Sequence, residues 1–156
     1  MPEERKLATI LFADIVGSTA RLSELGDKRW LHTLEAHDQM IHRSVDSFQG
    51  RVIRTTGDGA MSLFESPGRA LHCSFGLRDQ LNTMGIHIRT GVHTGEVELD
   101  AEGHVGGIAV HIAARVVAKA NPEEILVSRT VKDLVTGGAF SFESRGRHSL
   151  KGITEQ

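Results

Sequence analysis

The chain has few of the residues that mark secreted and membrane proteins. It contains one cysteine among 156 residues, Cys73, so it cannot form an internal disulfide. A chain without disulfides is typical of a reducing compartment, and we expect a cytoplasmic domain. No run of about 18 apolar residues exists, so no membrane span is predicted in this segment. The opening MPEERK also lacks the apolar centre of a signal peptide.

The chain lacks a strong charge of either sign and several familiar site motifs. Its net charge of −2 argues against a broad nucleic-acid-binding face, and we expect no nucleic-acid partner. It has no Walker motif and no GxGxxG after a predicted strand, so P-loop and Rossmann sites are not expected. Nine histidines raise the question of zinc, but neither HExxH nor a Cys/His quartet is present.

The length suits a single domain spanning 1–156, and the order of predicted elements indicates an α+β fold. The run KLATILFADI (6–15) is nearly all apolar, which is typical of a central strand covered on both faces. The remaining elements are a helix ending near Gly50, a strand–turn–strand in RVIRTTGDGAMSLF, a helix opened by Ser66 and Pro67, an alternating strand over 86–100, a helix over 108–120, a short strand and helix in EEILVSRTVKDLV, and a closing hairpin in FSFESRGRHSLKGI.

This order predicts a ferredoxin-like split βαβ sandwich with added strands and helices. We expect helices on one face of a single sheet. The other face and its edge would then be left for a partner or a ligand.

Two aspartates stand where neighbouring predicted strands end. Asp14 closes the first strand and Asp58 lies in the GDG turn of the hairpin, so both carboxylates can reach one rim of the sheet. Close carboxylates repel each other unless a cation separates them. Hard oxygen ligands favour Mg²⁺ or Mn²⁺, and two such ions clamp the oxygens of a phosphoryl group during transfer. The sequence therefore predicts a site for two divalent cations.

A structural alternative exists for each aspartate. An aspartate in a GDG turn such as Asp58 often serves only the turn. Asp14 is harder to explain in this way, because a carboxylate that ends a buried strand needs a partner and no basic residue nearby in the sequence supplies one.

Two further segments could hold phosphates. Gly17, Ser18 and Thr19 follow Asp14 and would offer backbone N–H groups at the start of a helix.

The second segment is the helix over 108–120. Its residues His111, Arg115 and Lys119 recur at i, i+4 and i+8, so they share one face of the helix. The opposite face, with Ile108, Ile112 and Val116 or Val117, is predicted to face the core. An imidazole and a guanidinium suit a phosphate chain, and the alternative is a solvated polar face.

Together these segments resemble the catalytic domain of class III nucleotide cyclases, the adenylyl and guanylyl cyclase family, in its compact actinobacterial form. The resemblance runs from about Leu7 to Ile153 and is carried by ATILFADIVGST, RTTGDGAMSLF, IRTGVHTGEV, VGGIAVHIAARV, ILVSRTV and RGRHSLKGI. It implies that Asp14, Asp58 and the carbonyl of Ile15 bind the metal ions. It also implies that Arg115 stabilises the transition state and that Lys151 holds the triphosphate, with Gly17, Ser18, Thr19 and Gly57 as further substrate-binding positions.

Three positions depart from the family pattern. Arg54 stands where lysine is common, and His104 stands about where the family has an aspartate that reads the base with that lysine. Arg54 can donate to adenine N1 or guanine O6, and His104 can accept from an amino group only as the correct neutral tautomer. Asp100 or Glu102 could replace His104 if the loop shifts. His111 replaces the asparagine that orients the ribose.

The resemblance implies an adenylate cyclase that converts ATP to 3′,5′-cyclic AMP and pyrophosphate. It also implies a head-to-tail homodimer, in which one subunit gives the metal aspartates and the other gives the base-reading residues, His111 and Arg115. The alternatives are a guanylate or mixed-specificity cyclase, and a degenerate domain that binds nucleotide and regulates a partner. A cyclic-dinucleotide synthase or a polymerase-like palm is a further rival, but TTGDGA lacks the acidic residue of the GGDEF signature.

Overall fold

One mixed sheet and the helices packed on it form the body of the protein. The computed structural model describes residues 4–56, 58–138, 140–144, 148–150 and 153–155. Within these residues the elements are β1 (Glu4–Ile15), α1 (Ser18–Ser47), β2 (Arg51–Thr56), β3 (Gly59–Phe64), α2 (Pro67–Thr83), β4 (Ile88–Leu99), β5 (Val105–Gly106), α3 (Ile108–Ala118), β6 (Ile125–Val127), α4 (Arg129–Leu134), β7 (His148–Leu150) and β8 (Ile153–Glu155).

The sheet is built around β1. Its strand order is β2-β3-β1-β4-β5, and β6 adds to β4 in parallel, while β7 and β8 form a separate hairpin. β1 pairs antiparallel with β4 along its full length, from Glu4 opposite Leu99 to Ile15 opposite Ile88. The α+β prediction and the central position of the first strand are confirmed. The closing hairpin lies later than predicted, because residues 140–144 are not in a strand.

Helices cover both faces of the sheet, so the expectation of helices on one face is wrong. Leu11, Ala13 and Ile15 of β1 pack in a core with buried residues of α1 and α2. Ala8 and Ile10, which alternate with them, pack in a second core with Ala109, Val110 and Ala113 of α3. Successive residues of a strand point to opposite faces, and β1 is apolar at both parities, so each face has to be covered.

The helix α3 packs on the sheet only partly as its sequence indicates: Val116 and Val117 are buried as predicted, but Ile108 is not. Ile108, predicted to face the core, is 65% exposed, and the buried residues are smaller: Ala109, Val110, Ala113, Val116 and Val117. Small residues let the helix approach closely. At Gly91 of β4 a Cβ atom would lie 2.4 Å from the backbone nitrogen of Val117, so the strand and the helix touch without a side chain between them.

The helices that flank the other face follow their sequence signals closely. Ser66 caps α2 as predicted, because its Oγ accepts a hydrogen bond from the Arg69 N–H at 3.3 Å, and Pro67 is the first helical residue. α1 begins at Ser18 and is broken at Gly26, where φ is 79° and ψ is 166°. Among the described residues, no helix combines the length and the apolar character that crossing a membrane requires.

Replacing Gly91 with alanine is expected to lower the free energy of unfolding by about 3 kcal/mol, because the added methyl meets the α3 backbone and cannot be relieved by a rotamer change. The matched control is Gly76→Ala in α2, where a Cβ meets nothing within 4 Å. That change should stabilise the protein by about 1 kcal/mol through helix propensity. Urea unfolding of both variants measures these effects, and a neutral Gly91→Ala would show that α3 is not held against β4 as described.

Candidate active site

The end of β1 meets the turn between β2 and β3. Asp14 lies opposite Gly59 of β3 and opposite Arg89 of β4. Beyond it, the Ile15 N–H donates to the Asp58 carbonyl at 2.8 Å, and the Val16 N–H donates to the His87 carbonyl at 2.8 Å. These backbone bonds bring Asp14 and Asp58 to one rim of the sheet, which is the arrangement that the sequence predicts.

The Asp14 carboxyl lies in an unfavourable place for a negative charge. Its side chain is 31% exposed, and burial raises the pKa of Asp14 above its usual value. Arg89 lowers this pKa and the Asp58 carboxylate raises it further, with a net shift upwards. The two carboxylates are therefore close enough to repel each other.

Arg89 is a member of the site that sequence reasoning missed. Its Nη2 lies 3.5 Å from Asp14 Oδ2, and its Nη1 donates to the Ala118 carbonyl at 3.3 Å. The partner that the sequence could not supply for Asp14 thus comes from β4. The signal that could have found it is the antiparallel register of two long predicted strands, which places Arg89 opposite Asp14.

The chemistry of the donor set fits a divalent cation. Asp14 and Asp58 offer hard carboxylate oxygens, and the carbonyl of Ile15 belongs to the same chain segment. A positive charge of the chain itself already lies at this site, because the Arg89 guanidinium pairs with Asp14. Mutually repelling carboxylates that attract positive charge suit Mg²⁺ or Mn²⁺, which prefer oxygen ligands.

The predicted phosphate cradle lies next to this rim. Gly17 precedes α1 in the left-handed conformation, with φ at 71°, and Ser18 and Thr19 open the helix. The side chains of Ser18 and Thr19 lie outside what the structure describes, as do Gly57 and Lys151 entirely. Their roles stay predictions.

Two of the three residues that suggested phosphate binding, His111 and Arg115, lie on α3, and the third, Lys119, follows its last residue. His111 is exposed and Arg115 is half-buried. Neither side chain has a hydrogen-bond or ion-pair partner among the residues that the structure describes. The C-terminal end of α3 lies beside the aspartate rim, since Ala118 accepts the hydrogen bond from Arg89.

The two residues predicted to read the base lie on outer parts of the sheet. Arg54 is exposed on β2, opposite Met61. His104 is exposed in the turn before β5, where its Nδ1 lies 2.9 Å from Asp100 Oδ2 and its backbone N–H donates to Asp100 Oδ1 at 2.9 Å. No hydrogen bond or ion pair between described side chains links Arg54 to His104, so the structure does not bring them into direct contact.

The turn that carries His104 is a group of charged residues. The hydrogen bond to the Asp100 carboxylate raises the pKa of His104, and the hydrogen bonds that Asp100 accepts from His104 lower the pKa of Asp100. Within the described part of the chain, Asp100, Glu102 and His104 form one set of three possible metal ligands, with ligand atoms within 4.8 Å of one another. All three are exposed, and the group is separate from the aspartate rim in sequence.

Comparison with known proteins identifies the family. The sequence matches the model of the adenylate and guanylate cyclase catalytic domain over residues 1–156. The chain belongs to this family. A relative from Rhizobium meliloti (strain 1021), named "Putative adenylate cyclase 3", is 33% identical over 160 residues, which cover 96% of this chain and 27% of the relative. This cyclase domain therefore spans about a quarter of that protein's length.

Solved cyclase structures share the fold. The adenylyl cyclase CyaB from P. aeruginosa superposes with a TM-score of 0.91 at 19% identity, covering 99% of this chain and 94% of that one. The guanylate cyclase domain of RhGC from Catenaria anguillulae, in complex with GTP, superposes with a TM-score of 0.88 at 20% identity and the same coverage, 99% and 94%. The predicted cyclase family and its catalytic fold are thus confirmed.

Replacing Asp14 with asparagine is expected to raise the thermal unfolding midpoint of the metal-free domain at neutral pH. A carboxyl whose pKa is raised by folding prefers its neutral form in the native state, so its ionisation above that pKa lowers the free energy of unfolding. The gain should shrink as the pH falls through the raised pKa of Asp14 towards the usual carboxyl value of about 3.9, because protonation of the wild-type carboxyl removes the difference between the two proteins. Circular dichroism melting curves, recorded in EDTA from neutral to acidic pH, measure the gain in the midpoint and its loss at low pH.

The matched control for this change is Asp79→Asn. Asp79 also pairs with an arginine, Arg78, at 3.0 Å, but its side chain is 68% exposed. We expect no change in its midpoint at either pH. A midpoint below the wild type for Asp14→Asn at neutral pH would mean that the ion pair with Arg89 outweighs the cost of burial.

Proposed function

We propose that this domain is an adenylate cyclase, which converts ATP to 3′,5′-cyclic AMP and pyrophosphate at sites shared between two copies of the chain. The observation that carries the proposal is the meeting of Asp14 and Asp58 at one rim, in a domain of the nucleotide cyclase family. The Rhizobium relative, named as an adenylate cyclase, supports the choice of ATP.

The chain's own residues would align the reactants and place charge. Asp14, Asp58 and the Ile15 carbonyl would hold two divalent cations, Mg²⁺ or Mn²⁺. Bound there, such ions supply a lowered pKa for the ribose 3′-hydroxyl and charge neutralisation of the triphosphate. The start of α1 at Gly17, Ser18 and Thr19 would cradle phosphate oxygens, together with Gly57.

Cations of the chain would complete the site from α3 and the C-terminal segment. Arg115 would offset the charge that grows on the phosphoryl oxygens as the 3′-oxygen attacks the α-phosphorus in line. His111 would orient the ribose through a hydrogen bond, and Lys151 would hold the triphosphate. Alignment and charge placement of this kind account for most of the acceleration in phosphoryl transfer.

Adenine would be read by Arg54 and His104. The Nδ1 of His104 faces the Asp100 carboxylate, which favours the tautomer with hydrogen on Nδ1 and leaves Nε2 as an acceptor for the N6 amino group. Arg54 would donate to N1. One observation favours a guanylate cyclase instead: Asp100 raises the pKa of His104, and a protonated imidazole would donate to guanine O6.

Sharing of sites between two chains explains why α3 carries unpaired polar groups. His111 and Arg115 have no side-chain partner among the described residues of their own chain. A two-fold pair repeats every contact, so one dimer would hold two sites, each with aspartates from one chain and α3 residues from the other.

Product identification tests the proposed activity. The purified domain is incubated with Mn²⁺ and either ATP or GTP, and the products are separated by chromatography. Cyclic AMP from ATP is expected, and Asp58→Ala should lower its rate by about 100-fold or more while leaving the circular dichroism spectrum unchanged. Cyclic GMP alone would identify a guanylate cyclase, and tight nucleotide binding without product would identify a regulatory domain.

Mixing two inactive variants tests the shared sites. Asp58→Ala and Arg115→Ala chains should each be inactive as homodimers, because every site lacks one essential group. After subunit exchange, half of the dimers should be heterodimers with one intact site, which restores about a quarter of the wild-type activity. Exchange is verified by co-purification of differently tagged chains. Exchange without recovered activity would contradict sites built from two chains.

A further inference from the structure

The Arg89 guanidinium places a positive charge beside the Asp14 carboxylate. The Arg89 Nη2 lies 3.5 Å from Asp14 Oδ2, and the two residues are directly opposite each other on β1 and β4. The other terminal nitrogen of Arg89 donates to the Ala118 carbonyl at 3.3 Å. The guanidinium is therefore held between the aspartate rim and the end of α3.

We propose that Arg89 is an internal counter-cation that competes with the divalent ion for Asp14. This inference rests on the proposed function, because it takes Asp14 as a metal ligand. Arg89 would be a positioning residue: it holds the carboxylate in place, and its contact with Asp14 loosens when the metal ion binds.

Electrostatics gives the reason for competition. Asp14 is partly buried and lies near Asp58, so an unpaired charge there is costly, and Arg89 reduces that cost. A divalent ion bound to the same carboxylate would lie close to the Arg89 guanidinium. The two positive charges would repel each other. Arg89 thus stabilises the Asp14 carboxylate and weakens the first step of metal binding.

The geometry allows the Arg89 guanidinium to move away from Asp14. The ion pair of 3.5 Å is longer than a charge-assisted hydrogen bond, and the Arg89 side chain is 34% exposed. Its bond to the Ala118 carbonyl does not involve Asp14. The guanidinium can therefore move away from the carboxylate while it keeps an anchor on α3.

The same pair of strands offers a matched control. Arg5 on β1 and Glu98 on β4 are also direct cross-strand partners, with 3.3 Å between Arg5 Nη2 and Glu98 Oε1. This pair lies at the opposite end of β1. Removing its arginine deletes one positive charge and one ion pair from the same strands without touching the aspartate rim.

Binding of Mn²⁺ alone tests the competition. Free Mn²⁺ is followed by electron paramagnetic resonance in the wild-type domain, without nucleotide, and the relevant site is the one lost in Asp14→Asn. Arg89→Gln should tighten that site by about fivefold, the upper end of the range that ion pairs at protein surfaces contribute. Arg89→Lys, which keeps the charge, should stay within about twofold of the wild type, as should Arg5→Gln.

Mn²⁺ affinities that depart from this pattern would contradict either the competition or the metal site. Unchanged or weaker Mn²⁺ binding in Arg89→Gln, with Asp14→Asn still abolishing the site, would overturn the competition and leave the metal site intact. Equal tightening in Arg89→Lys would show that charge is not the cause and would also overturn it. Mn²⁺ binding that is insensitive to Asp14→Asn would overturn the proposed metal site itself, and with it this inference.

A second measurement keeps the test independent of how well Arg89→Gln folds. The Nε–Hε resonance of Arg89 is followed by NMR in the wild-type domain during titration with Mg²⁺. We expect it to move towards the position that it has in metal-free Asp14→Asn, where the ion pair is absent. A resonance that does not respond while Mg²⁺ binds would mean that Arg89 and the ion do not share Asp14.

Discussion

The site depends on the hydrogen-bond register of β1. The strand pairs with β3 on one side and with β4 on the other, and its last residues tie the β2–β3 turn to the rim through the bond from Ile15 to Asp58. A slip of one residue would turn Asp14 from the α3 face to the face covered by α1 and α2. Buried apolar side chains at both parities of β1 oppose such a slip, so packing far from the rim fixes the carboxylates.

The rim combines this rigid backbone with unfavourable electrostatics. Asp14 and Asp58 repel each other, and burial raises the pKa of Asp14 against the influence of Arg89. Such conflicts are common where a protein holds groups ready for a ligand that relieves them. The apolar cores on both faces of the sheet supply the stability that allows the conflict to persist.

Much of this arrangement could be predicted from the sequence, because local patterns carry it. The apolar run of β1, the GDG turn and the Ser66 cap each follow from nearby residues, and the predicted order of the strands is enough to place Asp14 and Asp58 at one rim. What depends on long-range register could not be predicted. Arg89 is an ordinary strand residue until its place opposite Asp14 is known, and the exposure of Ile108 depends on how α3 docks. The sequence places His104 in a loop after the strand that ends at Asp100, but the hydrogen bonds from His104 to Asp100 could not be predicted.

The direct contact between Gly91 and α3 has a mechanical consequence. Because a Cβ at Gly91 would lie 2.4 Å from the Val117 nitrogen, no side chain of Gly91 can separate the helix from the strand at this point. Sliding or tilting of α3 over β4 would bring backbone atoms into collision. We therefore expect the helix and the sheet to move together at this point, so that the α3 backbone at His111 and Arg115 follows any movement of β4.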